Sequence, residues 1–208
     1  MIEIRTLPNY WEKSELIVAI TPTKPTKLIS TEKYTEITKQ AISKWNEVLD
    51  SHSLNIKFHI IGEPDGTEDI VVKWWFSRYQ RNGLTQFFPE SGKINNVTVW
   101  ISKCTGPEIL EMTMPEESYK GTPVTRDPDQ IDSAITHEFG HVLGLEHCMN
   151  FKRDLMFTDS EDQPDPKRKI SNYDLQLIAG LWDKKNMKYE LGKSYTFNDN
   201  GWQSVEHN

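Results

Sequence analysis

The chain has 208 residues, 36% hydrophobic and 26% charged, with seven tryptophans, which describes a folded chain long enough for one domain with a real core, or two very small ones, rather than a disordered chain. Its formal charge is −7 and its pI about 5.4, and its longest basic run is Lys167-Arg168-Lys169, so a phosphate-backbone partner is not expected. No apolar run approaches the roughly 20 residues that span a bilayer, which excludes a membrane-spanning helix.

The first twenty residues carry acids where a signal peptide would be basic, and their apolar stretch Leu16–Ile20 is too short for a signal core. The sequence as written is expected to be cytoplasmic, or secreted if a leader has been removed. Leu16–Ile20 reads as a strand that ends at Thr21-Pro-Thr-Lys-Pro25. Ser30 or Thr31 then has the chemistry of a helix N-cap, and Tyr34, Ile37, Ala41, Trp45 and Val48 recur every three or four residues, predicting a helix to about Leu49 with one buried stripe.

Strand patterns follow. Leu54, Ile56, Phe58 and Ile60 alternate with polar neighbours; residues 69–76, Leu84–Phe88 and Val97–Ile101 supply three more, separated by turns at Gly62/Gly66, Gly83 and Gly92. Residues 105–130 show no period and read as one long surface loop, a kind of segment that often carries function. A helix is predicted from about Asp132 to Leu143 and another from Ser171 to about Trp182; residues 183–208 form a polar tail with no readable pattern. The order predicts an α+β fold, one mixed and mostly sequential sheet packed with three helices, with residues 1–182 as a single domain. Cys104 and Cys148 admit either one disulfide or two free thiols.

The chemistry concentrates in His137-Glu-Phe-Gly-His141-Val-Leu-Gly144-Leu-Glu-His147. On a helix His137 and His141 stand one turn apart on the same face, so two imidazoles can grip one ion. Glu138 sits beside the first of them, in reach of a water on the metal. Gly144 can end the helix in a left-handed conformation, and His147 then arrives from another direction as a third nitrogen. Three protein ligands leave a fourth position open, the arrangement of a catalytic rather than a structural zinc site. Half of the six histidines fall within these eleven residues.

HExxHxxGxxH followed by a methionine resembles the signature of the metzincin clan of zinc proteases, and the chain looks most like the matrixins within it. Ala41–Val48 with Asn55–Phe58 and Asp69-Ile70-Val71 is similar to that family's first helix and next two strands, and Ile170–Ile178 to its last helix. The likeness spans roughly residues 14–182, tightly at the motif and loosely elsewhere. It implies a zinc-dependent endopeptidase, a monomer acting on peptide or protein substrates with one catalytic zinc ion. His137, His141 and His147 would be its ligands and Glu138 the general base for a zinc-activated water. It also implies that Met156, in Asp154-Leu-Met-Phe157, lies in a tight turn beneath the metal, that Asp174 braces this turn, and that Gly83–Phe88 forms the substrate rim above a pocket lined by the loop after Met156.

Some family features have no match. Cys104 does not fit the latency motif, Thr158 stands where some metzincins have tyrosine, and nothing corresponds to the structural-zinc histidines or calcium loops, so calcium is not supported and His52 and His59 read as surface or strand residues. Cys148 after His147 is similar to the archaemetzincins, without their further cysteines. A peptidase restricted to one partner, a non-proteolytic zinc-binding module on the same scaffold, and a hydrolase of non-peptide amides stay open as alternatives.

Overall fold

A computed structural model describes residues 2–6, 11–76, 83–90, 93–105, 114–115, 124–148, 152–157, 168–182, 194–198 and 201–205. The first helix, α1 (Thr31–Ser51), starts where its cap chemistry says it should: the Ser30 side chain accepts from the Lys33 backbone N–H at 3.2 Å. Tyr34, Ile37, Ala41, Trp45 and Leu49 are sealed from solvent along one stripe, with Leu49 rather than the half-buried Val48 closing it. Burying each of the larger side chains contributes about 1.5–3 kcal/mol.

Strands β2 (Glu15–Ile20), β3 (Lys57–Ile60), β4 (Ile70–Phe76), β5 (Gly83–Glu90) and β6 (Lys93–Ser102) form the main sheet in the order β3-β2-β4-β6-β5. The pairs β2–β3, β2–β4 and β4–β6 are parallel, and β5 runs antiparallel to β6. Parallel neighbours need crossover connections, which is why chain order and sheet order part at β3 and at β6. Leu16, Val18, Ile70, Val72, Val97, Val99 and Ile101 join α1 and the second helix in one core. Asn46 ties α1 to the sheet by exchanging two 2.9 Å hydrogen bonds with the backbone of Phe58, and the Phe58 ring meets Phe139 edge-on at 5.1 Å.

The stretch 105–130, expected as one loop, carries more order than its composition suggested. Backbone strands β7 (Cys104–Thr105) and β9 (Val124–Thr125) pair with each other, and β8 (Met114–Pro115) pairs with the end of β4. The second helix, α2 (Pro128–Val142), begins four residues before the expected Asp132. Asp127 and Gln130 make a reciprocal capping box, and Pro128 at the first helical position has a preset φ and no N–H to leave unpaired. Arg126 just before it is fully buried.

A smaller sheet joins the two ends of the chain to the segment after α2. Strand β1 (Ile2–Thr6) pairs with β10 (Leu145–Cys148) on one side and with β11 (Ser194–Asn198) on the other, and β11 forms a hairpin with β12 (Gly201–Val205). The last helix, α3 (Asn172–Trp182), matches its expected span. No helix among the described residues is long and apolar enough to cross a membrane.

Candidate metal centre

The end of α2 decides the geometry. Its last carbonyls have no helical partners. Trp11 Nε1 donates to Val142 O at 3.0 Å and Trp182 Nε1 donates to Leu143 O at 3.1 Å, so two indoles from opposite ends of the domain close this terminus. Gly144 N–H donates to His141 O at 2.9 Å with φ of +102°, a conformation that a side chain would strain. The chain reverses there into β10, which carries His147 back toward the helix.

His137, His141 and His147 come together as the spacing predicts, their candidate ligand atoms all within 4.8 Å of one another. The first two are half-buried and the third exposed. His137 Nδ1 donates to Leu155 O at 2.8 Å, and His141 Nδ1 donates to Leu145 O at 2.7 Å. A carbonyl can only accept, so each Nδ1 carries the proton and each Nε2 presents a lone pair. This is how carbonyls orient metal-ligating imidazoles. His141 Nε2 lies 3.3 Å from His147 Nε2. Tetrahedral zinc with bonds of about 2.0–2.1 Å separates its nitrogens by about 3.3 Å, so this pair is spaced as that ion requires.

Burial pushes the His137 imidazole down to about 4, and His141 well below its usual value for the same reason, with the neighbouring imidazoles adding to both shifts. The two rings are therefore neutral at physiological pH, the form that binds a cation.

Met156 is fully buried against the helix. A Cβ added at Gly140 would stand 2.3 Å from Met156 Sδ, so glycine is what lets the methionine turn approach α2. Met156 O accepts from Cys148 N–H at 2.7 Å, lacing the turn to β10; Cys148 is buried and in no disulfide. Asp154 Oδ1 accepts from Met156 N–H at 2.8 Å, and its Oδ2 accepts from the Ser171 hydroxyl at 2.6 Å. Asp174 Oδ2 accepts from Ser171 N–H at 2.9 Å, while Ser171 Oγ accepts from Asp174 N–H at 3.2 Å. Asp174 thus reaches the turn through Ser171, the residue expected to open the last helix, and Ser171-Asn-Tyr-Asp174 has capping-box spacing. Burial raises the pKa of both carboxyls, and the charge of Asp154 raises that of Asp174 further.

Glu138 is 4% exposed and faces strand β5. Thr85 Oγ1 stands 2.6 Å from Glu138 Oε2, and a Cβ at Gly83 would stand 2.5 Å from both Glu138 Cγ and Oε1. Strand β5 covers the residues expected to form the rim, but which of them touch the motif glutamate had no local signal. His52 lies exposed at the end of α1 and His59 on β3, both apart from the cluster. Thr158, the loop after Met156 and most of the expected tail lie outside the described residues, as does the turn at Gly92.

An α+β domain with three convergent imidazoles on and after an HExxH helix defines a metzincin-type zinc protease fold. Residues 10–183 match the Matrixin family, and the chain belongs to that family. Its members hold a catalytic zinc and act on peptides or proteins, and the histidine triad here can hold a metal ion. No curated protein matches the chain in sequence. Among solved structures, the GM1 bound form of the ECX AB5 holotoxin is 15% identical with a TM-score of 0.50. The match covers 89% of this chain and 92% of that one, a likeness of fold alone.

Proposed function

We propose that this protein is a zinc-dependent endopeptidase in which His137, His141 and His147 hold the ion and Glu138 is the general base. The observation that carries the reading is the pair of carbonyl-anchored imidazoles, His137 on Leu155 O and His141 on Leu145 O, converging with His147 on one point beside Glu138. A bound zinc ion supplies Lewis acidity, which makes water nucleophilic near neutral pH and polarises a scissile carbonyl. Glu138 takes the proton of the attacking water and returns it to the leaving amine. Met156, Asp154 and Asp174 hold the floor that keeps the imidazoles in register.

The substrate enters in extended form. Strand β5 pairs only with β6 among the described residues, so its other edge offers main-chain donors and acceptors to an added peptide strand.

Zinc content and cleavage of a quenched-peptide library test the assignment. Glu138→Ala keeps one zinc per chain and loses cleavage by several orders of magnitude, whereas His141→Ala loses zinc and cleavage together. Comparable cleavage by wild type and Glu138→Ala refutes the base; a fully loaded His141→Ala refutes the ligand set.

A further inference from the structure

Strand alternation puts Thr85 on the helix side of β5. Its register partner Val99 is fully buried in the core, while Gln86 on the opposite face is exposed. The 2.6 Å contact from Thr85 Oγ1 to Glu138 Oε2 has the length of a charge-assisted O–H···O⁻ bond. The same hydroxyl lies 3.1 Å from the Glu138 main-chain oxygen. It has one proton, and the anionic oxygen is both nearer and the stronger acceptor, so the proton goes to Oε2.

Gly83 restrains the other half of the group. With Cγ and Oε1 each 2.5 Å from where a Gly83 Cβ would stand, the Glu138 side chain packs against Gly83 while its Oε2 meets Thr85. A glutamate free in solution samples many rotamers, and fixing it costs entropy. Here the strand has fixed it before any substrate arrives.

On the reading of Glu138 as general base, we propose that Thr85 is a positioning residue for the reaction: its hydroxyl pins Oε2 and so holds in place the carboxylate that takes and returns the proton. Threonine suits the task. It is at home in a strand, and its β-branch restricts χ1, so the hydroxyl is held toward the helix rather than swinging. Nothing in the local sequence around Thr85 signals this; the pairing spans 53 residues.

Two substitutions and a thermodynamic cycle test it. Thr85→Val keeps the shape without the donor, and Thr85→Ser keeps the donor. With the zinc-loaded enzyme and a quenched peptide, Thr85→Val lowers kcat roughly 10- to 100-fold with KM nearly unchanged, and Thr85→Ser recovers to within about threefold of wild type. In the metal-free protein, Thr85→Val and Glu138→Ala are coupled: the double variant loses less in Tm than the sum of the two single losses, by about 2 °C or more. A kcat for Thr85→Val within about twofold of wild type, a Thr85→Ser as impaired as Thr85→Val, or strictly additive Tm shifts would each overturn the proposal. If zinc-loaded wild type cuts no peptide, the endopeptidase reading fails instead, and the Tm cycle still decides whether Thr85 holds Glu138.

Discussion

On one side of α2, Met156, Asp154 and Asp174 form a floor that is wholly buried, while the rim strand β5 runs from half-buried at Gly83–Thr85 to exposed at Phe88–Glu90. The floor is tied internally through Ser171 and the Met156 N–H, although Asp174 Oδ1 is buried without a hydrogen-bond partner, and it packs sulfur directly on Gly140. The rim meets the helix through one hydroxyl and one missing side chain, Thr85 and Gly83, both on the same glutamate. The difference separates two kinds of contact. Disturbing the floor costs folding free energy because nothing there can relax into solvent; disturbing the rim costs little stability but moves the Glu138 carboxylate.

The sharpest way to break this contrast is to add one methyl group on each side. Gly140→Ala drives a Cβ into the buried Met156 sulfur and is expected to lower stability by about 1–3 kcal/mol, read from denaturant midpoints. Gly83→Ala presses on the Glu138 side chain, which is flexible and can shift. Its midpoint is expected to stay within about 0.5 kcal/mol while peptide cleavage falls about tenfold or more. Equal stability losses from the two would erase the distinction.

The pH dependence of the metal-free protein is expected next in size. His137 has a folded-state pKa near 4, below its ordinary 6.5, so the unfolded chain binds protons first as pH falls. Stability is then full above about 6.5 and declines as pH drops toward 4, by up to roughly 3 kcal/mol for this one group, with His141 acting in the same direction. Urea titrations at pH 7 and pH 5 check it; zinc should abolish proton binding at these rings and steepen the loss on acidification.

The smallest effect sharpens the floor itself. Asp154 and Asp174 have raised folded-state pKa values, so their pair stabilises the fold at low pH and loses that contribution as pH rises from about 3.8 through the folded values. Asp174→Asn keeps an oxygen to accept from Ser171 N–H and removes one buried carboxyl. Its denaturant midpoint is expected to exceed that of wild type at pH 7, and the advantage to shrink toward pH 4. A variant less stable than wild type at pH 7 would mean the charge itself braces the turn.

What could be read in one dimension followed the range of the interactions. The Tyr34–Trp45 stripe of α1, the Ser30 cap, the strands β2 and β4–β6 and the histidine spacing all depend on neighbours within a few residues, and each stood in the structure close to where it was expected. The start of α2 was also legible, since Asp127-Pro-Asp-Gln130 is a local cap, but a loop-like composition around it masked the signal.

Spacing alone, then, determined that His137, His141 and His147 could meet, because a helical turn and a glycine reversal are local geometry. Only the tertiary structure decided how they are held and what faces them. Leu155 O reaches His137 across 18 residues, Trp11 closes α2 from 131 residues away, and Ile4 pairs with Cys148 on the strand that delivers His147. Thr85 meets Glu138 only because sheet register sets β5 beside the helix. Such contacts depend on which surfaces the folded chain buries together, and no periodicity in the sequence records that choice.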